Sequence, residues 1–156
     1  MTQPGFMKNM RLSLVAVLML LMASAAQAVC NISNSSISFG NYDVFSGSAD
    51  TASGTFTVRS CSSGKNSYTA SISTGSGSYT ARTMSNGTDD LEYNLYTSNS
   101  YTTVWGNGSG GSSTASGTGI TGSSGGTPKT IYGRIPAGQD VSAGSYSDSL
   151  TITISF

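Results

Sequence analysis

Three acidic residues that could support catalysis or metal binding lie close together in this 156-residue chain: Asp89, Asp90 and Glu92. Paired carboxylates can act as general acid and base in the hydrolysis of a glycoside, and carboxylate oxygens are ligands that Ca²⁺ accepts. The alternative is a solvated turn followed by an outward-facing strand residue, because carboxylates lie mostly on protein surfaces. The sequence favours this alternative over an active site.

The chain contains no histidine. This absence excludes the Ser–His–acid triad, the Cys–His pair and histidine-ligated metal sites. The serine side chains have no evident general base, since Lys65 and Lys129 lie in turns rich in Gly, Ser and Thr. We therefore expect no enzymatic activity, no catalytic residue, no metal site and no cofactor.

Trp105 is the only tryptophan of the chain, and it is a candidate contact for a surface ligand. Together with nearby tyrosines it could form a sugar-binding face, as in a carbohydrate-binding module. The alternative is packing in the core or at its rim, which is the more common place for an isolated tryptophan beside a strand end.

The first 28 residues have the three parts of a secretory signal peptide. Lys8 and Arg11 precede a short apolar run, and Ala28 completes a small-residue cleavage site. The apolar run is shorter than the ~20 residues that span a bilayer. We predict export through this leader, a mature domain of residues 29–156 without a transmembrane segment, and transit through the periplasm to the cell surface or the medium.

The predicted mature domain is small and weakly acidic. Its length fits one domain rather than two. The leader contains Lys8 and Arg11, which leaves five basic residues against seven acidic ones. This composition lacks the basic surface that nucleic acid requires, so we expect no nucleic-acid partner.

Both cysteines of the chain, Cys30 and Cys61, lie in the predicted mature domain. An even number of cysteines in an exported domain predicts disulfide pairing, here a single bridge. The bridge would close a loop of about thirty residues, to which the chain-entropy model assigns about 3–4 kcal/mol. That contribution is large beside the net stability of a small domain.

Apolar and polar residues alternate with a period of two along at least six short runs of the mature domain. A strand places successive side chains on opposite faces, so each run has one apolar face for a core. Gly, Ser, Asn and Asp separate the runs, and helical periodicity is absent. This pattern predicts an all-β sandwich or barrel. The runs cover residues 36–39, 55–59, 67–72, 91–96, 130–135 and 150–156.

Residues 106–127 consist almost entirely of Gly, Ser and Thr. They contain too few apolar side chains to offset the entropy lost on ordering. We predict a mobile loop here, with one weak edge strand near residues 113–120.

The printed sequence ends within an apolar strand in which Leu150, Ile152, Ile154 and Phe156 share one face. An exposed apolar edge is an aggregation hazard that proteins normally protect. The strand could lie centrally in its own sheet, or its edge could accept a strand from another chain by β-augmentation. The sequence leaves both arrangements open.

Six segments give the chain a resemblance to the spore coat protein U domain family, which includes subunits of archaic chaperone–usher pili. Their order and spacing carry the resemblance, and together they cover essentially all of the mature domain. The segments are residues 37–43, 54–61, 93–96, 104–106, 131–139 and 144–150.

The resemblance implies an incomplete, six-stranded, pilin-type sandwich with an immunoglobulin-like fold that lacks its last strand. A periplasmic chaperone lends a strand to the open groove, an outer-membrane usher exports the subunit, and another pilus subunit then replaces the chaperone strand. On this resemblance Leu150, Ile152, Ile154 and Phe156 line the groove.

One feature departs from polymerising pilins, which carry a donor segment ahead of the first cysteine. Cleavage after Ala28 leaves only Val29 before Cys30, which is too short for a strand that advances ~3.3 Å per residue. The leading hypothesis is therefore an exported structural or adhesive protein, namely a minor or terminal pilus subunit that accepts a donor strand. The alternatives are a stand-alone secreted coat protein with a complete sandwich, and a carbohydrate-binding module.

Overall fold

A computed structural model describes residues 30–33, 35–59, 66–118 and 126–156. The predicted leader and Cys61 lie outside the described residues. The described part is built from β-strands, which confirms the all-β class, and it contains no helix that could cross a membrane. The strands are β1 (Asn31–Ile32), β2 (Asp50–Phe56), β3 (Val58–Arg59), β4 (Ser67–Ile72), β5 (Ser76–Gly77), β6 (Arg82–Ser85), β7 (Asp90–Tyr96), β8 (Ala115–Thr118), β9 (Lys129–Ile135) and β10 (Ile152–Ser155).

Five strands form the larger sheet, in the order β2-β9-β7-β6-β5, and each neighbouring pair is antiparallel. The inner strands β7 and β9 bury alternate side chains, as their period-two pattern predicts. The buried residues include Leu91, Tyr93 and Leu95 in β7, and Ile131 and Ile135 in β9. These side chains form one half of the core.

The smaller sheet has the order β10-β4-β8 and is also antiparallel. Its central strand β4 buries Tyr68, Ala70 and Ile72. Ile152 of β10 lies opposite Ile72, and Ile154 lies opposite Ala70. The buried side chains of the two sheets form one cluster, which is the layered arrangement of a β-sandwich.

Two predicted strands differ from the structure. Residues 36–39 belong to no strand, and the run predicted at residues 55–59 begins at Asp50 and breaks at Thr57. Ser33 binds at the break: the Thr57 N–H donates to Ser33 Oγ at 2.8 Å, and the Ser33 N–H donates to the Thr57 carbonyl at 3.0 Å. The chain thereby changes its pairing partner at this break: β2 pairs with β9, and β3 pairs with β1.

The number of strands also differs from the prediction. Short strands such as β1, β5 and β6 raise the number in the described part of the chain to ten, above the six expected.

Trp105 lies in the centre of the core and not on the surface. Its side chain is 1 % exposed, its ring stacks on Phe56 with 5.4 Å between centroids, and its Nε1–H donates to the Ala70 carbonyl at 2.9 Å. A buried indole requires a partner for its one polar group, and the carbonyl supplies it. The prediction that Trp105 contacts a surface ligand is therefore wrong.

The tract rich in Gly, Ser and Thr forms a turn and a strand over residues 106–118, rather than the structureless loop that its composition predicts. The Gly106 N–H donates to the Ser113 carbonyl at 2.8 Å, and Ser112 Oγ donates to the Ser109 carbonyl at 2.6 Å. Strand β8 follows and pairs with β4, where a weak edge strand was predicted. Hydrogen bonds organise this tract in place of large apolar side chains. Residues 119–125 lie outside the described residues.

A buried arginine joins the elements around Trp105. Arg82 is completely buried at the start of β6, and its guanidinium donates to the carbonyls of Ser73 at 3.0 Å and Trp105 at 2.8 Å. It also donates to Asn94 Oδ1 at 2.5 Å and lies over the Tyr79 ring, 5.3 Å from its centroid. Burial lowers the pKa of Arg82, but a guanidinium stays charged in proteins. This side chain therefore bridges β6, β7 and the segments that follow β4 and β7.

Replacing Arg82 with methionine is expected to lower the free energy of unfolding by about 3 kcal/mol or more. The substitution leaves several buried acceptors without a donor, and each such loss costs about 1–3 kcal/mol. Urea unfolding of the purified chain measures the effect. Arg59→Met, at an exposed arginine, is the matched control and should change stability by less than about 0.5 kcal/mol. Equal losses in the two variants would contradict the bridging role.

Candidate functional site

Strand β10 has a hydrogen-bonding partner along one edge only. It pairs with β4 from Ile152 to Ser155, and none of the described strands pairs with its other edge. Ile152 and Ile154 are half-buried, whereas Thr153 and Ser155 are exposed. The strand therefore combines an inward apolar face with a free row of backbone donors and acceptors, which is the feature that invites a further strand.

Residues 35–39, here called the wall segment, lie against the inner face of the larger sheet. A Cβ added at Gly54 of β2 would lie 2.6 Å from the carbonyl oxygen of Ser36. Phe39 packs edge-to-face on Tyr93 of β7, with 6.1 Å between ring centroids. Glycine at an inward position of β2 thus allows the wall segment to approach the backbone of the sheet.

A groove of about 290 Å³ separates the wall segment from β10 and the residues just before it. Of the four residues predicted for a groove, Leu150 and Ile152 line this cavity. Ile154 packs half-buried against the core, and Phe156 is 46 % exposed; neither lines the cavity. Most lining side chains are apolar, and they include Ile37, Phe39, Ile72, Leu95, Ile131 and Ile152.

Three large hydrophobic side chains are exposed in the described part of the chain, and none of them lines the groove. Ile32, in β1, is 44 % exposed, and Phe156, which follows β10, is 46 % exposed. Phe45 is 94 % exposed, in a turn where the Ser46 N–H donates to the Asp43 carbonyl at 3.0 Å. Exposed apolar surface can mark a site of interaction, and Phe156 places some of it at the end of β10.

A second cavity of about 620 Å³ adjoins the groove, and Ile37 and Tyr146 line both. Residues 141–146 form one side of it. Asn86 holds this loop in place, since its Nδ2–H donates to the Tyr146 hydroxyl at 2.9 Å.

The three clustered carboxylates, Asp89, Asp90 and Glu92, lie in the turn before β7 and at the start of that strand. Hydrogen bonds from the side chain and backbone of Ser142 hold the pKa of Asp89 below its usual range. Asp90 and Glu92 are exposed, and the Glu92 N–H donates to Gln139 Oε1 at 2.7 Å. Within the described residues, His, Cys, Asp and Glu form no group that could hold a metal ion. The geometry favours the turn interpretation of this cluster.

Asp148, which lines the groove, joins three parts of the chain through hydrogen bonds. The Tyr93 hydroxyl donates to Asp148 Oδ2 at 2.7 Å, and the N–H groups of Ser76 and Ser149 donate to Oδ1 at 3.2 and 2.8 Å. Burial raises the pKa of Tyr93 far above its ordinary value, and the hydrogen bond to Asp148 acts in the same direction. Tyr93 is therefore held as a neutral phenol beneath the groove.

The predicted Cys30–Cys61 disulfide falls partly outside the described residues. Cys30 is half-buried and packs against the core, and no free cysteine occurs in the described part of the chain. Cys61 is not described, so the pairing stays a prediction.

Sequence reasoning missed the wall segment as one side of the groove, and it missed Asp148. The available signal for the wall segment was glycine at inward positions of predicted strands, since Gly54 and Gly133 both stand where an apolar side chain is expected. No comparable signal identifies Asp148, because its contact with Tyr93 joins residues that are distant in sequence.

Replacing Gly54 with alanine is expected to lower the free energy of unfolding by about 1–3 kcal/mol, the usual cost of overpacking. The added methyl group overlaps the Ser36 carbonyl, and this cost exceeds the about 0.5–1 kcal/mol that alanine gains over glycine within a strand. Gly47→Ala is the control, because an added Cβ there meets no atom within 4 Å. Thermal unfolding compares the two. A Gly54→Ala variant as stable as Gly47→Ala would rule out the close contact.

The raised pKa of Tyr93 predicts a loss of stability at high pH. The folded state keeps the phenol neutral, so its contribution is complete below the unfolded-state pKa of about 10. Above that pH the free energy of unfolding should fall by about 1.4 kcal/mol per pH unit. Unfolding measured between about pH 8 and pH 11 tests this. Tyr93→Phe should flatten the slope, whereas Tyr132→Phe, at a half-buried tyrosine of β9, should retain it; identical slopes in all three proteins would contradict the assignment.

Comparison with curated proteins finds a relative that the chain matches in part. Protein U of Myxococcus xanthus is 38 % identical over 69 residues, which are 44 % of this chain and 36 % of that protein. The match thus spans about a third of the length of the relative.

Among solved structures, the fold is similar to that of a chain in the crystal structure of the CsuC-CsuE chaperone-tip adhesion subunit pre-assembly complex from archaic chaperone-usher Csu pili of Acinetobacter baumannii. The TM-score is 0.53 at 20 % identity, and the alignment covers 83 % of this chain and 40 % of that one. At this identity the likeness concerns the fold. The profile of the Spore Coat Protein U domain matches residues 16–153, nearly the whole sequence, and the chain belongs to the Spore Coat Protein U domain family.

Proposed function

We propose that this chain is an exported structural subunit whose groove receives a β-strand from another protein. The observation that carries the proposal is the free edge of β10 beside an apolar groove whose opposite side is the wall segment. An incoming strand would pair with the β10 backbone and place alternate side chains in the groove, which is recognition by β-augmentation. The subunit is a structural component, not an enzyme.

The energetics support this occupant. Without it, Ile152 and Leu150 line an open cavity, and Phe156, directly after β10, is about half exposed. Burial of an aliphatic or aromatic side chain contributes about 1.5–3 kcal/mol. A strand that covers several of these residues would therefore add a stabilisation comparable to the net stability of a small domain.

We infer the partners from the family and from the fold. The structurally similar chain belongs to a complex of a chaperone with a tip adhesion subunit of chaperone–usher pili. By analogy, a periplasmic chaperone occupies the groove of this chain first, an outer-membrane usher exports it, and a second subunit then supplies the lasting strand.

The proposed export route of the subunit and its proposed position in a pilus depend on the predicted leader. Residues 1–28 direct export, and the mature domain passes through the periplasm to the cell surface. Cleavage after Ala28 places Cys30 next to the new N-terminus, so this end has no segment long enough to fill the groove of a neighbour. The subunit is accordingly a minor or terminal one that accepts a strand, and a Cys30–Cys61 disulfide stabilises it.

A stand-alone coat protein is the second candidate. The two described sheets already enclose one cluster of buried side chains, which supports this candidate. In this case the sandwich would be stable without a donor, and the groove would be an ordinary surface feature. The carbohydrate-binding alternative loses its supporting residue, since Trp105 is buried.

The test joins a donor strand to the chain itself. A flexible linker and a strand with valine at every inward position are fused after Phe156, so that the strand can fold back antiparallel to β10. We expect the fused protein to be a monomer whose midpoint of thermal unfolding rises by roughly 10 °C or more, because apolar area is buried. The unfused chain, purified for comparison, should unfold at the lower midpoint and aggregate on heating.

Two controls localise the effect. A tail with aspartate in place of the inward valines should give no gain. Ile152→Asp, on the groove side of β10, should abolish the gain from the valine tail, whereas Thr153→Asp, on the exposed face of the same strand, should preserve it. A stable, unfused monomer that gains nothing from the valine tail would refute the open groove and favour the stand-alone coat protein.

A further inference from the structure

An apolar groove by itself does not fix the register of the strand that fills it. Side chains of a strand repeat with a period of two, so a shift by two residues returns apolar side chains to the same face. A donor of alternating valine or isoleucine would therefore occupy several registers with similar energies. A polar contact within the groove can remove this degeneracy, as a single buried polar residue does in coiled coils.

Three of the polar side chains that line the groove already have partners within the chain, and two others, Ser36 and Ser147, belong to exposed residues that water can reach. Asp148 accepts hydrogen bonds from Tyr93 and from two backbone N–H groups. The Tyr146 hydroxyl donates to the Ser142 carbonyl at 2.8 Å and accepts from Asn86. These groups have little remaining capacity to recognise an incoming strand.

Ser35 differs from them. Its residue lines the groove at the start of the wall segment, and its Oγ is buried without a hydrogen-bond partner among the described residues. A buried hydroxyl without a partner costs about 1–3 kcal/mol. An alanine or valine in the same place would avoid that cost and would extend the apolar lining.

We propose that Ser35 sets the register of the donor strand, which carries Ser, Thr or Asn at the one inward position next to Ser35. A rotation about χ1 turns Ser35 Oγ, which is buried while the groove is open, toward that side chain. This inference rests on the proposed function, because it requires a strand in the groove. The matching side chain forms a hydrogen bond with the Ser35 hydroxyl, so that neither polar group stays unpaired. Any other register buries two unpaired polar groups, one on each chain, and is excluded by their desolvation.

The experiment scans threonine through the inward positions of the fused valine tail, one position at a time. Threonine and valine have nearly the same shape, so each exchange tests the hydroxyl alone. We expect one tail to match or exceed the thermal midpoint of the all-valine tail, and the others to fall by about 5 °C, since an unpaired buried hydroxyl is costly. In Ser35→Ala the preferred position should disappear, and threonine should be unfavourable at every inward position.

The matched control is Ser38→Ala, at an exposed serine of the same segment, which should keep the preferred position. Equal midpoints for all threonine tails, or a preference that persists in Ser35→Ala, would overturn the register assignment while the gain from the all-valine tail still supports the groove. Failure of every tail, all-valine included, would overturn the proposed function together with the inference.

Discussion

One constraint governs this fold: the backbone donors and acceptors of a strand inside a sandwich need hydrogen-bonding partners. Within the described part of the chain, strand β10 has such partners, from β4, along one edge only. On a surface strand, water satisfies the free edge, and a charged or polar face protects it. β10 instead turns Ile152 and Ile154 toward the core. Its free edge therefore lies next to apolar surface, which is where an additional strand gains most from both hydrogen bonding and burial.

The two sides of the sandwich are built differently. Around Trp105, aromatic stacking on Phe56 and the guanidinium of Arg82 join both sheets through side chains with few alternative positions. Near the groove, the wall segment packs against the larger sheet and has no strand partner among the described residues. The rigid side carries the stability of the domain, and the side with the wall segment leaves room for a partner.

The sequence predicted the parts of the fold that depend on local pattern. Alternation located β4, β7, β9 and β10 within a few residues, because each has one buried face. It did not locate the break at Thr57, which depends on hydrogen bonds with Ser33, a residue far away in the chain. It also did not decide the place of Trp105, because composition shows the size of an indole but not the carbonyl that accepts its hydrogen bond.

The groove itself was predictable only in part. Leu150 and Ile152 follow from the period-two pattern of the last strand, and both line the cavity. The opposite side could not be derived in this way, since residues 36–39 alternate like a strand but pair with none. Its position depends on Gly54, where the missing side chain allows the Ser36 carbonyl to approach.

The hydrogen bonds between Ser33 and Thr57 lie outside the groove, yet they fix the point from which the wall segment departs. The segment is consequently held near both ends, by these hydrogen bonds close to its start and by the packing of Phe39 on Tyr93 at its end. A substitution at Ser33 or Thr57 would therefore act on the groove from a distance, while every lining residue stays the same.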